Sequence, residues 1–272
     1  MELHINKDTQ LCMSLARRPG NFGTRFHNFL YRELGLNFIY KAFTTRDIAS
    51  AIAGIRALGI RGCAVSMPFK EACIQYLDEL DTSAKGIMSV NTIVNTDGYL
   101  KAYNTDYTAV AELIRSSEIP VSTDFALQGS GGMAKAVACA LRDAGLANGL
   151  ILARNEATGT ALARQYGFQW KKELTGARPA LLINVTPIGM AGGPESDQVA
   201  FSEDLVRAAQ FVFDVVALPA ETPLIRLANS LGKKTITGAE VIALQAVEQF
   251  VDYTGVRPNT DQIARAAAFA RS

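Results

Sequence analysis

The sequence predicts an α/β protein of two domains, and three observations support this fold class. Short apolar runs alternate with segments of helical periodicity along most of the chain, which is the pattern of strands covered by helices. A glycine-rich stretch stands between one such run and the helical segment after it. The length of 272 residues exceeds what one hydrophobic core usually organises.

The N-terminal part of the chain predicts a small α/β domain. Its expected strands are Gln10–Leu15, Asn37–Phe43 and Gly62–Val65, and its expected helices are Thr24–Glu33 and Thr45–Leu58. Two further short runs flank Asn95-Thr96-Asp97-Gly98, and an Asp-Gly pair in that position is typical of a β-hairpin. We place the end of this domain at Asp106, so that it spans residues 1–106.

A second series of strands and helices begins near Phe125 and predicts a parallel sheet. Its expected strands are Phe125–Gln128, Leu150–Ala153, Leu181–Val185, Phe211–Val215 and Lys234–Ile236. Residues 107–238 form this second domain in the prediction. The last two helical segments, Ala239–Thr254 and Asp261–Arg271, are expected to pack back on the first domain, which residues 239–272 would complete.

Charge and composition argue against several classes of protein. A net charge of +1 gives no electrostatic attraction to nucleic acid or to an anionic membrane. No apolar run is long enough to cross a bilayer, and the chain start lacks the layout of a signal peptide. We therefore expect a cytoplasmic protein, a monomer or a homodimer, that acts on a small molecule. Because the cysteines have no C-x-x-C spacing and His4 and His27 form no cluster, no metal site is expected.

A glycine turn follows the predicted strand Phe125–Gln128 and precedes the helical run Lys135–Ala144. The turn comprises Gly129, Ser130, Gly131, Gly132 and Met133, in the pattern G-x-G-G-x-A. Between a strand and a helix, such glycines let backbone amides approach a pyrophosphate whose charge faces the helix N-terminus. The alternative is a tight turn that binds nothing. We interpret the turn as a dinucleotide-binding site, which makes the second domain Rossmann-type.

The residues after the next strand indicate which dinucleotide is bound. An NAD site usually has Asp or Glu about 20 residues beyond the glycine turn, whereas here Ala153 is followed by Arg154 and Asn155. A guanidinium suits the 2′-phosphate of NADP through charge-assisted hydrogen bonds. The alternatives are a solvated surface arginine and an NAD site, which the neighbouring Glu156 would favour. We predict NADP as the cofactor, with NAD possible.

Two charged residues at predicted helix starts are candidates for catalysis. Pro68 suits the first position of a helix, which would put Lys70 in the first turn, where the helix dipole disfavours the ammonium form. A neutral amine is what a general base requires. Asp106 precedes the helical run Tyr107–Arg115 and could orient Lys70. The alternatives are an exposed lysine and a helix-capping aspartate, and spacing alone favours both of them.

Several motifs resemble, in order and spacing, those of the shikimate dehydrogenase family. They are Ser66-Met67-Pro68-Phe69-Lys70, Ser89-Val90-Asn91-Thr92, Asn104-Thr105-Asp106, the glycine turn, and Asn184-Val185-Thr186-Pro187-Ile188-Gly189-Met190. Gln245 stands where the family has a substrate-binding glutamine. The resemblance covers nearly the whole chain, and several motifs in one order are far more specific than any one alone.

The resemblance implies an NADP-dependent oxidoreductase that interconverts shikimate and 3-dehydroshikimate by hydride transfer, within aromatic amino acid biosynthesis. It implies that Lys70 acts as general base or acid, with Asp106 beside it. It further implies hydrogen bonds from the substrate to Ser66, Asn91 and Gln245, and cofactor contacts at Thr186, Val215 and Gly238.

The chain departs from the family pattern at several positions. The Ser-x-Ser pair that holds the substrate carboxylate in the family is replaced by Asn21 and Gly23, of which only Asn21 can donate a side-chain hydrogen bond. The family's tyrosine near the substrate is Ala217, Tyr107 replaces a common glycine, and Thr158 replaces a second basic residue. Each buried polar group left unpaired would cost about 1–3 kcal/mol. We therefore expect a divergent paralogue with low activity.

Two other functions stay open. An NAD-linked dehydrogenase acting on quinate or a similar hydroxy acid is favoured by Glu156 and opposed by Arg154. A dinucleotide-binding sensor without turnover is favoured by the lost substrate contacts and opposed by the retained catalytic pair. Arg17 and Arg18 could replace the lost carboxylate contacts, although exposed basic residues on a loop are the ordinary interpretation.

Overall fold

The computed structural model describes residues 5–272 and divides into two units. The first unit ends at Thr105 and also contains Ala243–Ser272, and the second is Asp106–Ile242. His4 and the residues before it, on which the signal-peptide prediction partly depends, lie outside the described residues. The functional assignment of the two units as a substrate domain and a cofactor domain stays a prediction.

Twelve strands and eleven α-helices form within residues 5–272. The strands are β1 (Gln10–Leu15), β2 (Phe38–Phe43), β3 (Gly62–Val65), β4 (Glu79–Leu80), β5 (Thr92–Thr96), β6 (Tyr99–Tyr103), β7 (Phe125–Gln128), β8 (Gly149–Leu152), β9 (Gln169–Lys171), β10 (Leu181–Asn184), β11 (Phe211–Asp214) and β12 (Lys234–Thr237). The helices are α1 (Phe22–Glu33), α2 (Ile48–Ala57), α3 (Phe69–Ala72), α4 (Thr82–Lys85), α5 (Thr105–Ser116), α6 (Gly132–Asp143), α7 (Glu156–Tyr166), α8 (Glu203–Ala208), α9 (Pro223–Ser230), α10 (Gly238–Thr254) and α11 (Thr260–Arg271).

The first unit is built on a mixed sheet with the order β2-β1-β3-β5-β6-β4. β1 pairs in parallel with β2 and β3, whereas β5 pairs antiparallel with β3 and β6. The predicted hairpin is present, and its turn residues Asp97 and Gly98 both have positive φ. α10 packs on one face of this sheet, where a methyl group on Gly62 would lie 2.3 Å from the ring of Tyr253, and α11 packs against α1. Phe250 and Tyr253 of α10 belong to the core on that face.

The second unit is built on a fully parallel sheet with the order β12-β11-β10-β7-β8-β9. Numbered from β7 as the first strand, this is the 3-2-1-4-5-6 order of a doubly wound dinucleotide-binding sheet. The chain reverses direction across the sheet between β7 and β10, and ligands of such sheets bind outside the carboxyl ends of the strands at that point. The predicted α/β fold class with a Rossmann-type parallel sheet is confirmed.

Two strands were missing from the prediction, and several helix starts were misplaced by one to three residues, including the two next to the catalytic candidates. β4 has two residues and β9 has three, which is too short for an alternating apolar pattern. α3 is a single turn that begins at Phe69, with Pro68 at the N-cap position instead of the first helical position. α5 begins at Thr105, so Asp106 lies inside the first turn. Within the described part of the chain, no helix is long and apolar enough to cross a membrane.

Candidate functional site

The candidate catalytic lysine lies just beyond the carboxyl end of β3. The backbone amide of Ser66 donates to the carbonyl of Leu15 at 2.9 Å, which holds the loop against the end of β1. Lys70 is half-buried in α3, and its carbonyl accepts from the amide of Val90 at 2.9 Å. The segment that carries Ser66 and Lys70 is therefore fixed to the segment that leads into Asn91.

Asn91 forms the centre of a buried polar cluster in the first unit. Its Oδ1 accepts from the backbone amide of Thr105 at 2.8 Å and from Oγ1 of Thr92 at 2.9 Å. Its Nδ2 donates to Oγ1 of Thr105 at 3.0 Å. Asn91 is 3% exposed and Thr92 is fully buried. The cluster joins the start of β5 to the start of α5, where Asp106 follows Thr105.

α10 contributes two glutamines to this cluster. Oγ1 of Thr105 lies 3.5 Å from Oε1 of Gln245, which is at the limit of a hydrogen bond. Nε2 of Gln249 donates to the carbonyl of Asn91 at 3.2 Å and to Oγ1 of Thr92 at 3.0 Å. The structure thus brings the predicted residues Asn91 and Gln245 together through Thr105. Thr92, Thr105 and Gln249 were not predicted as site residues, and only the first two fall in motifs that could have indicated them.

The positions that replace the family's serine pair lie at the start of α1. Asn21 is exposed at the N-cap of this helix, and its side chain makes no capping hydrogen bond. A methyl group on Gly23 would lie 3.4 Å from the hydroxyl of Tyr40. Arg17 is exposed nearby in sequence, and its amide donates to the carbonyl of Met67 at 3.2 Å. The backbone of Arg17 is therefore fixed beside the loop that carries Ser66.

The glycine turn of the second unit has the shape that a pyrophosphate requires. Gly129 has a φ of 127°, and a methyl group there would lie 2.7 Å from Val185. At Gly131 and Gly132 an added methyl would meet nothing within 4 Å. Gly131 is the N-cap of α6 and has no side chain to satisfy the first amides of the helix. Open space above unsatisfied helix amides fits a bound phosphate.

A buried network holds the loops after β10 and β11. Nδ2 of Asn184 donates to Oδ1 of Asp214 at 2.9 Å, and Oδ1 of Asn184 accepts from the amide and hydroxyl of Thr186 at 3.0 and 2.6 Å. Asp214 also accepts from the hydroxyl of Thr222 at 2.6 Å and from the amide of Val216 at 3.1 Å. Burial raises the pKa of Asp214, against these hydrogen bonds, which lower it. The network fixes Thr186 beside the glycine turn, because Val185 packs on Gly129.

Val215 and Gly238 meet at the ends of β11 and β12. A methyl group on Gly238 would lie 2.4 Å from the carbonyl oxygens of Val215 and Val216. Only glycine fits at this position without a shift of the backbone. The structure therefore brings these two predicted cofactor residues into direct contact.

Arg154 and Asn155 follow β8, as predicted. Arg154 is exposed, and Asn155 caps α7 by accepting from the amide of Thr158 at 3.1 Å. The hydroxyl of Thr158 also lies 2.8 Å from the hydroxyl of Ser130, which links the glycine turn to α7. Thr158 stands where the family has a second basic residue. Here it bonds to Ser130 and Asn155 and carries no positive charge.

Two lysines near the end of β8 were not predicted as site residues, because the strand β9 was not predicted. Lys171 pairs with Leu152 in the register of β8 and β9, and its carbonyl accepts from the amide of Ala153 at 3.3 Å. Lys171 and Lys172 are both exposed. The edge of the sheet that carries Arg154 therefore carries further positive charge.

Asp106 is half-buried in the first turn of α5. The next residue, Tyr107, donates its hydroxyl hydrogen to Oδ2 of Asp143 at 2.8 Å and so ties α5 to the last turn of α6. Burial, followed by this hydrogen bond, raises the pKa of Tyr107 to about 12. No group of three His, Cys, Asp or Glu side chains among residues 5–272 could hold a metal ion.

Comparison with known proteins identifies clear relatives. Residues 22–93 match the family described as the shikimate dehydrogenase substrate binding domain. The chain is 58% identical over 268 residues to a shikimate dehydrogenase-like protein of Haemophilus influenzae, covering 98% of this chain and 99% of that protein. It is 34% identical over 246 residues to shikimate dehydrogenase (NADP(+)) of Pyrococcus abyssi, covering 88% and 89% of the two chains. The solved structure of shikimate 5-dehydrogenase from Thermus thermophilus, in complex with NADP(H) and shikimate, matches with a TM-score of 0.84 and 28% identity, over 96% of this chain and 99% of that one.

Proposed function

Since the chain belongs to the shikimate dehydrogenase family, we propose that it interconverts shikimate and 3-dehydroshikimate, or a close cyclic hydroxy acid, with NADP as the cofactor. The hydroxyl carbon of the substrate gives up a hydride, and the hydroxyl oxygen gives up a proton. The observation that carries the proposal is the buried cluster of Asn91, Thr105 and Gln245, because it gathers residues of three separate family motifs into one hydrogen-bonded group. This reaction would place the protein in aromatic amino acid biosynthesis and in the cytoplasm.

The second unit has the features that an NADP site needs. When bound, NADP⁺ supplies the acceptor for the hydride. The open amides of the glycine turn would hold the pyrophosphate, and the positive edge after β8 would hold the 2′-phosphate. The residues proposed to contact the cofactor are Gly129, Ser130, Gly131, Gly132, Met133, Arg154, Asn155, Thr186, Val215 and Gly238.

Lys70 and Asp106 are the proposed catalytic residues. Lys70 takes the proton from the reacting hydroxyl during oxidation and returns it during reduction. The position of its backbone is fixed by the hydrogen bond to Val90, so the side chain starts from a rigid point. Asp106 follows Thr105 of the polar cluster and would accept a hydrogen bond from the same hydroxyl. Ser66, Asn91 and Gln245 are the proposed contacts to the ring hydroxyls.

The start of α1 supports the expectation of low activity. Asn21 can offer its amide to a substrate carboxylate, since its side chain does not cap the helix, but Gly23 offers no side chain. The loss of one buried hydrogen bond typically costs about 1–3 kcal/mol, and about 1.4 kcal/mol is tenfold in rate. The same loss favours the second candidate function, a dinucleotide-binding sensor that has lost turnover.

The test is the initial rate of absorbance change at 340 nm with shikimate or quinate, each with NADP⁺ or NAD⁺. We expect slow turnover with shikimate and NADP⁺, and a loss of about 100- to 10,000-fold in Lys70→Ala with NADP affinity unchanged, because only the proton transfer is removed. Lys85→Ala, an exposed lysine in the last turn of α4, is the matched control and should behave as wild type. Unaltered turnover in Lys70→Ala would disprove the mechanism. NADP binding without turnover in any pairing would favour the sensor.

A further inference from the structure

We propose that Tyr107 is a positioning residue, whose hydroxyl holds the first turn of α5, and with it Asp106, against the end of α6. The proposal rests on the proposed function, which assigns Asp106 to the reaction and the glycine turn before α6 to the cofactor. Tyr107 stands where a glycine is common in the family. Because glycine has no side chain to bond to α6, the tether is a feature of this chain.

The first turn of α5 depends on bonds from outside the helix. The first amides of an α-helix have no acceptor within the helix, and helix ends open more easily than helix centres. Asp106 and Tyr107 are consecutive residues of this turn, and both are half-buried. A bond from the side chain of Tyr107 to another helix therefore restrains the backbone that carries Asp106.

Asp106 lies between two bonded neighbours. The boundary between the two units falls between Thr105 and Asp106. Within the first unit, the amide of Thr105 donates to Oδ1 of Asn91 at 2.8 Å. Within the second unit, the hydroxyl of Tyr107 donates to Oδ2 of Asp143 at 2.8 Å. Loss of the second bond would remove the restraint that α6 places on the turn.

The acceptor of this bond is a charged carboxylate. Partial burial raises the pKa of Asp143, but the hydrogen bonds from Arg142 and Tyr107 outweigh it, and the pKa lies below its ordinary value. The carboxylate is therefore ionised at neutral pH and can only accept. Burial and the bond to Asp143 raise the pKa of Tyr107 to about 12, so its hydroxyl keeps its proton and donates it. A hydrogen bond to an ionised acceptor is stronger than one between neutral groups.

Two helices hold the carboxylate of Asp143 in place. Nε and Nη2 of Arg142 donate to Oδ1 of Asp143 at 2.8 and 2.6 Å, and Nη2 also lies 3.5 Å from Sγ of Cys139. The guanidinium lies over the ring of Tyr166 in α7, 5.2 Å from its centroid. Cys139 and Tyr166 are both buried. The hydroxyl of Tyr107 therefore bonds to a group that α6 and α7 already fix.

α6 connects this contact to the proposed cofactor site. The helix begins at Gly132, directly after Gly131 of the glycine turn, and ends at Asp143. At about 1.5 Å per residue, it is a rod about 18 Å long. The tether thus fixes Asp106 to the same helix whose first amides are proposed to hold the pyrophosphate. A shift of Asp106 relative to α6 should slow the reaction without weakening the binding of either ligand.

The test compares two hydroxyl deletions in the same cluster. Tyr107→Phe keeps the ring and removes the bond to Asp143, and we expect kcat for shikimate oxidation to fall about fivefold, with the KM for shikimate and for NADP⁺ nearly unchanged. Tyr166→Phe is the matched control, because it keeps the ring over Arg142 and removes a hydroxyl that accepts from Gln165 at 3.1 Å. It should change the melting temperature by a similar amount and leave kcat unchanged.

Asp143 provides a second, independent variant. Asp143→Ala removes the same bond from its other end, so it should lower kcat by a similar factor. The double variant with Tyr107→Phe should be no slower than the slower single variant, since both changes break one bond. Equal kcat in Tyr107→Phe and Tyr166→Phe, or effects that multiply in the double variant, would overturn the proposal. A raised KM with unchanged kcat in Tyr107→Phe would also overturn it.

A ligand-free measurement distinguishes the failure of this proposal from the failure of the proposed function. The backbone amides of Ala109 and Val110, both fully buried, close the first turn of α5 in the i to i−4 pattern of an α-helix. They should exchange with deuterium about tenfold faster in Tyr107→Phe than in wild type, and at the wild-type rate in Tyr166→Phe. With this result, a lack of turnover in every pairing would refute only the proposed function. Unchanged exchange would refute the tether even in an active enzyme.

Discussion

The two units build their candidate sites from different parts of the chain. In the first unit the site consists of side chains, and Asn91, Thr105, Gln245 and Gln249 come from segments up to 158 residues apart in sequence. In the second unit the site consists mainly of backbone, at a glycine turn that follows β7 and at Gly238. If the proposed function holds, the first arrangement selects its ligand by hydrogen bonds to side chains. The second would select its ligand by leaving room for it beside unsatisfied amides.

The buried polar groups behind the two sites differ in the same way. The first unit links its amides through uncharged groups, the hydroxyls of Thr92 and Thr105 and the side chain of Gln249. The second unit orders its loops around the carboxylate of Asp214, which accepts three hydrogen bonds. A buried carboxylate can hold several backbone segments at once because it only accepts, whereas amides and hydroxyls bond to one another in a cluster because each of them both donates and accepts.

The largest expected effect tests the backbone-built site. Gly238→Ala puts a methyl group 2.4 Å from two carbonyl oxygens, so the backbone must shift, and we expect a loss of about 3 kcal/mol in the free energy of unfolding. Gly131→Ala adds the same methyl group where nothing lies within 4 Å, so its stability should equal that of wild type. Its NADP affinity should fall about tenfold, because the methyl group occupies the space proposed for the phosphates.

Urea unfolding and NADP titration measure the two effects separately. Equal losses of stability in Gly238→Ala and Gly131→Ala would contradict the distinction between a glycine needed for packing and one needed for a ligand. Wild-type NADP affinity in Gly131→Ala would mean that the turn holds its ligand elsewhere.

A smaller effect is expected from the pH dependence of the first unit. The folded-state pKa of His27, about 3, lies below the ordinary value of 6.5, so the folded protein binds fewer protons and loses stability as pH falls through this interval. His27→Phe removes this loss. Between pH 6.5 and pH 4.5, the variant should gain stability relative to wild type by about 1 kcal/mol per pH unit.

Asp252 should change the stability in the opposite direction as pH falls. Burial, with Glu248 and Asp81 nearby, raises its pKa from 3.8 to about 7, whereas Arg257 lowers it. The folded protein therefore binds more protons at this carboxyl and gains stability as pH falls from 7 towards 4. Asp252→Asn should lose stability relative to wild type over the same interval. Urea midpoints at pH 4.5, 5.5 and 6.5 give both slopes, and curves parallel to wild type would show that neither group is perturbed.

The same contrast explains how much the sequence could predict. The glycine turn and the strands around it follow from local patterns, so β7, the turn and the start of α6 could be recognised from neighbouring residues. The cluster around Asn91 depends on contacts between distant segments, and nothing in the spacing indicates that Gln249 donates to Thr92. Asn91 and Gln245 were predicted by family resemblance alone. Lys171 was missed because β9 has only three residues, held by Trp170 donating to the carbonyl of Ala153 at 3.2 Å.

The smallest expected effect concerns the one part of the second site that depends on side chains. Arg154 follows β8, Lys171 ends the neighbouring strand β9 and Lys172 follows it, so all three can direct positive charge to a 2′-phosphate. Arg154→Ala should raise the KM for NADP⁺ about tenfold and leave that for NAD⁺ nearly unchanged. The double variant Lys171→Ala with Lys172→Ala should have a similar, smaller effect, since lysine lacks the bidentate geometry of arginine.

Arg164→Ala is the matched control, because this arginine is exposed in the last turn of α7, away from the end of β8. It should change neither constant. If Arg154→Ala weakens NADP⁺ and NAD⁺ equally, the arginine does not read the 2′-phosphate, and the preference for NADP loses its basis. If only the lysine double variant discriminates between NADP⁺ and NAD⁺, the positive charge that binds the 2′-phosphate comes from the end of β9. A strand of only three residues then sets the cofactor specificity, in place of the basic residue that Thr158 replaces.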